Sequence, residues 1–183
     1  RVTSHTEGRL VGHVVVGETV LIYGSDGAIT RSTDGGGAFE RVTSGTEGWL
    51  IGHIVLGDTI LVYGRDAILQ SGGAVTRSID GGRTFRPIAF DSKRGLNGHF
   101  SLGSTILLYG AGGTIIRSAD GGKTFAIVAS DTEHGLNGHI VLGDMVLVYG
   151  ERGSITRSVD GGATFAHVAS SAQGLLTRHI MVG

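Results

Sequence analysis

Short apolar runs alternate with glycine-rich steps along the whole chain, and they return in the same order. In the stretch 139–170 the runs 139–142 and 145–149 are separated only by Gly143-Asp144, a two-residue step of the kind that closes a β-hairpin. The runs 154–158 and 165–170 follow, joined by Val159-Asp160-Gly161-Gly162-Ala163-Thr164. Val, Ile, Leu, Tyr and Thr dominate them, which suits a pleated, half-buried surface. No window carries a helical period over three turns. The pattern predicts four short strands, then a repeat of the same four.

The repeat is explicit. Ser32, Ser78, Ser118 and Ser158 each open a copy of Ser-x-Asp-Gly-Gly, and their spacings are 46, 40 and 40. His13, His53, His99, His139 and His179 keep the same frame, at spacings of 40, 46, 40 and 40. Residues 99–130 and 139–170 agree at 19 of 32 positions, far above chance. Four strands every 40 residues or so is one blade of a β-propeller, which protects its sheet edges by radial packing. The expected fold is all-β, with full blades at 13–44, 53–90, 99–130 and 139–170. The segment 1–4 repeats 41–44, a fourth strand, and 179–183 repeats a first strand. The expectation is therefore four full blades with one flanking strand at each end, cut from a ring of six to eight blades. Two chains that complete one ring together are the alternative.

Composition narrows the class. The 34 glycines lack the period of collagen, and 40% hydrophobic residues are too many for disorder. A net charge of −1 gives no field that favours nucleic acid, and no apolar run is long enough for a membrane-spanning helix. Without cysteine there is no thiol or disulfide chemistry. The chain starts at Arg1 rather than Met, which reads as a processed or partial chain.

The repeated turn has a physical purpose. Asp34, Asp80, Asp120 and Asp160 can accept turn N–H groups, while the glycine pairs ending in Gly36, Gly82, Gly122 and Gly162 reach positive φ without strain. The preceding serine and following threonine can cross-bond the turn, and Phe39, Phe85, Phe125 and Phe165 are expected to turn inward between sheets. Gly37-Ala38 stands where the other copies have x-Thr, which should weaken the first turn. One carboxylate per turn falls far short of the six to eight oxygens of a Ca²⁺ site, so no metal and no cofactor are expected there.

This Ser-x-Asp-Gly-Gly-x-Thr-Phe signature resembles the Asp-box, or BNR repeat, of sialidases, sortilin-type receptors and photosystem II assembly factors related to Ycf48. The resemblance covers every blade. It implies that the Asp-box turns lie away from the functional site, and that the compartment is periplasmic, lumenal or secreted.

Binding residues are expected on the opposite loop face, where the copies differ most. The second-to-third loop of the second blade is six residues longer than its counterparts and carries Arg65, Asp66 and Gln70. Glu151 and Arg152 sit at the equivalent place in the fourth blade. The fourth-to-first loops offer Trp49, Lys93, Arg94, Asn97, His134 and Asn137. Trp49, the only tryptophan, suits a binding hot spot or a gap between blades equally well. The repeated histidines are expected to begin the innermost strand and to tie each blade to the neighbouring loop, because architecture needs the same group in every copy. The repeated arginines, Arg31, Arg77, Arg117 and Arg157, follow the same logic.

An enzyme needs different groups converging on one place. Sialidases use three arginines, a Tyr–Glu nucleophile pair and an Asp acid/base. Here Tyr23, Tyr63, Tyr109 and Tyr149 share one repeated position, and Phe85-Arg86-Pro87-Ile88 falls after a turn, out of order for the sialidase Arg-Ile-Pro motif. Carboxylates outside the repeat frame are few, at most Asp66, Asp91, Glu133 and Glu151. The expected function is a non-catalytic binding or assembly scaffold with a protein partner. The alternative is a fragment of a secreted sialidase-like glycoside hydrolase or a glycan-binding lectin.

Overall fold

The computed structural model describes residues 8–65, 72–92 and 94–176. The flanking segments 1–4 and 179–183, together with Asp66, Gln70, Lys93 and His179, lie outside the described residues. Among the described residues, sixteen strands form four separate antiparallel sheets, each a meander of four in sequence order. The first holds β1 (Leu10–Val16), β2 (Thr19–Gly24), β3 (Ile29–Ser32) and β4 (Glu40–Val42). The second holds β5 (Trp49–Leu56), β6 (Thr59–Arg65), β7 (Gly73–Ser78) and β8 (Arg86–Pro87). The third holds β9 (Leu96–Leu102), β10 (Thr105–Gly110), β11 (Ile115–Ser118) and β12 (Ala126–Val128). The fourth holds β13 (Leu136–Leu142), β14 (Met145–Gly150), β15 (Ile155–Ser158) and β16 (Ala166–His167). The chain is an all-β propeller fold made of four-stranded antiparallel blades. Its blades fall into two compact units, Arg1–Ala89 and Phe90–Gly183.

The hairpin between the first two strands of each blade forms as the sequence predicts. Leu142 pairs with Met145, and of the two turn residues only Gly143 has positive φ, at 60°, the signature of a type II′ turn. Two boundaries differ from the sequence reading. The innermost strands do not begin at the histidines; they begin three or four residues earlier, at Leu10, Trp49, Leu96 and Leu136. A bulge explains the extension, because the register slips between Leu10 and Gly12, Leu50 and Gly52, and Leu136 and Gly138. The outermost strand of the fourth blade is shorter than 165–170, with only Ala166–His167 paired to β15.

Within the first unit, Val14, Leu21, Tyr23 and Ile29 of the first blade meet Leu50, Ile60, Val62 and Phe85 of the second in one core. The second unit repeats the arrangement, with Leu107, Tyr109 and Ile115 against Leu136, Val146, Val148 and Phe165. Each buried phenylalanine contributes about 2–3 kcal/mol of transfer free energy. The inward turn of the phenylalanines is thus complete only for Phe85 and Phe165; Phe39 and Phe125, in the first blade of each unit, are half-buried. The glycine before each buried ring is required twice over. Gly82 has φ +80°, and a Cβ there would come 2.6 Å from Leu21 Cδ1 of the preceding blade. Gly162 stands in the same relation to Leu107.

Candidate functional site

The repeated polar residues are already committed to architecture. In each turn the serine hydroxyl donates to the aspartate, at 2.7 Å for Ser32–Asp34 and 2.8 Å for Ser78–Asp80. The same hydroxyl oxygen accepts the N–H of the second glycine, at 2.8–2.9 Å in all four copies. The aspartate then accepts one or two further backbone N–H groups, as from Thr164 at 2.9 Å. In three copies a threonine hydroxyl closes the ring: Thr84, Thr124 and Thr164 donate to the second carboxylate oxygen at 2.6–2.7 Å. Ala38 cannot, so the first turn keeps only its serine and backbone bonds.

Donors aimed at an anion favour its charged form. The Thr124 hydroxyl, then that of Ser118, holds Asp120 well below the usual carboxylate range. The Thr164 hydroxyl and N–H do the same for Asp160. At Asp80 burial pushes upward, but the N–H and hydroxyl of Thr84 with the Ser78 hydroxyl prevail and hold it at about 2. Asp34 is lowered chiefly by the Ser32 hydroxyl. Carboxylates held this way are poor proton donors at neutral pH.

Two of the repeated histidines, His53 and His139, have a fixed partner that differs from the expected one. They sit within the innermost strand and bond not to a neighbouring loop but to the tyrosine of the preceding blade in the same unit. Tyr23 Oη lies 2.9 Å from His53 Nδ1, and Tyr109 Oη lies 3.0 Å from His139 Nδ1. Each tyrosine ring lies over a glycine of its own blade, Gly12 for Tyr23 and Gly98 for Tyr109; any Cβ there would collide with it. Burial raises Tyr23 and pushes Tyr109 up to about 12, with Tyr149 adding to the second shift. An activated tyrosine nucleophile needs the opposite shift. His53 is lowered by burial and then by His13. Among the described residues no three His, Asp or Glu side chains come together to hold a metal ion. Arg31 reaches the following blade, where its Nε donates to the Gly81 carbonyl at 3.3 Å.

The variable residues gather at the other end of the blades. There the second-to-third and fourth-to-first loops are bonded to each other. Ser25 N–H donates to the Arg9 carbonyl at 2.9 Å, and Gly27 N–H to the Gly48 carbonyl at 2.8 Å. In the fourth blade Glu151 N–H donates to Gly135 and Gly153 N–H to Gly174, both at 2.8 Å. A loop end tied on both sides in this way is a rigid platform.

The predicted site residues do not all stand free on it. Trp49, Asn97 and Asn137 are strand residues rather than loop residues, because the bulge carries the innermost strand outward to include them. Arg65 ends β6 and is paired in register with Trp49, which is 45% exposed and so does not fill a gap between blades. Asn97 Nδ2 donates to the Leu136 carbonyl at 3.0 Å and to Asn137 Oδ1 at 3.2 Å, a polar tie between neighbouring blades. Glu151 folds back to accept the Gly135 N–H at 3.2 Å. Arg152 is exposed and holds φ 52°, where the third blade has Gly112. His134 N–H donates to the Thr132 hydroxyl. Arg94 is exposed, with its side chain across Gly112.

Two open grooves flank this platform, and the sequence reading missed both. One, of about 650 Å³, is lined by Asp26, Arg41, Ser44 and Glu47 and by Ala74 and Pro87 of the following blade. The other, of about 680 Å³, is lined by Asp91, Arg94, Gly113, Ser130 and Glu133. They are built round the same element. Ser44 donates to the Thr46 carbonyl at 3.0 Å, and Ser130 donates to the Gly113 carbonyl at 2.6 Å. The in-frame pairs Ser44/Thr46 and Ser130/Thr132 were the available signal.

No protein-family model matches the sequence, and no curated protein does. Solved structures do match in fold. YCF48 from Cyanidioschyzon merolae superposes with a TM-score of 0.62 at 17% identity, over 94% of this chain and 60% of that one. YCF48 bound to D1 peptide gives a TM-score of 0.57 at 15% identity, over 92% of this chain and 56% of that one. An ancestral GH74 enzyme gives 0.62 at 14% identity, over 92% of this chain and 25% of that one. The chain thus spans less than two thirds of each of these proteins. Likeness at this level establishes the β-propeller fold.

Proposed function

We propose that the chain is a non-catalytic binding or assembly scaffold that engages a polypeptide through the face formed by the second-to-third and fourth-to-first loops. One observation carries this reading. The turn serines and aspartates, and the pairs Tyr23–His53 and Tyr109–His139, are spent on turns and blade junctions, whereas the loop ends that vary most are hydrogen-bonded platforms within each unit. Trp49 and Arg65 in the first unit, and Arg94 and Arg152 in the second, are exposed large or cationic side chains at this end of the blades, the types enriched at protein interfaces. The repeated turns fit the Asp-box pattern, and one of the solved structures of the same fold is YCF48 bound to D1 peptide. The corresponding compartment is periplasmic, lumenal or secreted. No described helix is long and apolar enough to cross a membrane.

A second reading is a glycan-active enzyme or lectin, favoured by the GH74 structures among the neighbours. A glycan array, with turnover assays on a fluorogenic sialoside and on xyloglucan, separates the two. The scaffold reading predicts no turnover. Sustained hydrolysis, lost on substitution of Asp91, Glu133 or Glu151, would replace it with the second.

A further inference from the structure

A bare sheet edge invites another strand, and three of the four described blades guard theirs at one register position. Opposite Thr30, Thr76, Ile116 and Thr156 of the third strands, the outermost strands carry Arg41, Pro87, Ile127 and His167. A guanidinium, a ring without an N–H and an exposed imidazole each discourage pairing. Ile127 has none of these devices. Its side chain is 58% exposed, and the sheet order leaves β12 at the edge of the third blade, paired with β11 alone.

The backbone of Ile127 is turned outward as well. The N–H groups of Ile88 and Val168 donate to the third strands of their blades at 2.9 and 2.8 Å, and Val128 holds the same place opposite Ile115. Bonded and non-bonded positions alternate along an antiparallel pair, so the N–H and carbonyl of Ile127 point away from β11. Ile115, Ile127 and Val128 line the groove of about 680 Å³ in the second unit. Its ionic side chains among the described residues are Asp91, Asp131 and Glu133 against Arg94, all exposed, and Arg94 is laid across Gly112. Asp131 holds φ 54°, where its counterpart Gly45 has φ 73°, so a carboxylate is kept at a position that glycine fills with less strain. In the groove of the first unit Pro87 stands in the place of Ile127, and Arg41 lies beside it.

We propose that β12 takes an extended polypeptide as an antiparallel fifth strand, one whose apolar residue lies opposite Ile127 and is flanked by lysine or arginine. The main chain of Ile127 supplies the pairing, and its side chain meets the residue directly across from it. The excess of carboxylates in the groove selects the basic flanks and rejects acidic ones. The inference deepens the scaffold reading and rests on it for the kind of partner. It uses the second unit and neither Trp49 nor Arg65, so either site can fail alone.

Fluorescence anisotropy on the 183-residue chain tests it with the labelled peptide Lys-Thr-Val-Thr-Val-Thr-Lys. One control replaces both lysines with glutamate, and another carries N-methyl groups on the valine amides. The lysine peptide should bind at least about tenfold more tightly than either control. Ile127→Pro copies the Pro87 that the second blade already accommodates, and should weaken binding by about the same factor. Ile127→Lys repeats the test if the proline variant fails to fold, with circular dichroism as the check. Asp131→Asn with Glu133→Gln should erase the preference for lysine over glutamate and keep the discrimination against N-methylation. No binding of the lysine peptide at millimolar concentration, equal binding of the N-methylated peptide, or indifference to the Ile127 variants would overturn the proposal. Binding lost in Trp49→Ala with Arg65→Ala, and kept in Ile127→Pro, would overturn it too while leaving the scaffold reading intact.

Discussion

Replacing Tyr109 with phenylalanine removes one oxygen and keeps the ring over Gly98. The hydroxyl is the only group lost, and it lies 3.0 Å from His139 Nδ1 across a blade junction. A hydrogen bond of this kind contributes about 0.5–1.5 kcal/mol net, and an abandoned buried partner costs about 1–3 kcal/mol. Tyr109 is 4% exposed while His139 is half-buried, so part of the second cost is relieved by water at the imidazole. The expected loss is therefore about 1–2 kcal/mol, or roughly 2–8 °C in Tm for a chain of this size. Because the bond joins two blades, the loss falls on their coupling, and the urea transition should broaden as well as shift. An alkaline signature accompanies it. Burial holds Tyr109 at about 12, above its ordinary value of 10.0, so the unfolded chain ionises first as pH rises. Stability that is whole below pH 10 is lost between about pH 10 and 12. Tyr109→Phe should flatten that part of the profile. Urea denaturation at pH 7 and pH 11 reads both effects. A variant within about 0.3 kcal/mol of wild type, with an unchanged alkaline slope, would show that the tyrosine–histidine bond does not hold the blades together.

Three further outcomes follow from the same geometry. Ala38→Thr should supply the hydroxyl that the first turn lacks and raise the urea midpoint, while Thr164→Ala lowers it; both changes should be smaller than that of Tyr109→Phe. Asp80 is held at about 2, so it stabilises the fold above its ordinary value of 3.8 and ceases to as pH falls from 3.8 toward 2; Asp80→Asn should remove that contribution to the acid profile of unfolding. Gly138→Ala places a methyl group into the Tyr149 ring and should cost about 1–3 kcal/mol by overpacking, measurable as a lower denaturation midpoint.

The repeat, the strand order and the hairpin glycines were legible in the sequence because each depends on neighbours in the chain. Gly143-Asp144 closes its hairpin through the φ of one residue, and Ser118 meets Asp120 two positions away. The bulge was not legible. It requires two residues to oppose one across the sheet, and that geometry converts Trp49, Asn97 and Asn137 from loop to strand. The tyrosine and histidine were each visible as repeated, but not as partners, because they lie 30 residues apart on different blades. The grooves were hidden for a related reason, since loops and edge strands from distant parts of the chain line them. Glu151 shows the limit most plainly: its charge marked it as a binding residue, yet its carboxylate caps a backbone N–H.

Peptide binding mapped by face tests the functional account most directly. Random phage-displayed peptides would be selected on the chain and the enriched ones titrated by fluorescence anisotropy against paired variants. Trp49→Ala with Arg65→Ala alters the loop end of the first unit, while Ile79→Ala, at a side chain 64% exposed, with Thr33→Ala, also exposed, alters the turns at the other end of the same unit's blades. The account predicts that the first pair weakens binding by about tenfold or more and that the second leaves it unchanged. Binding that survives the first pair and fails in the second would contradict it.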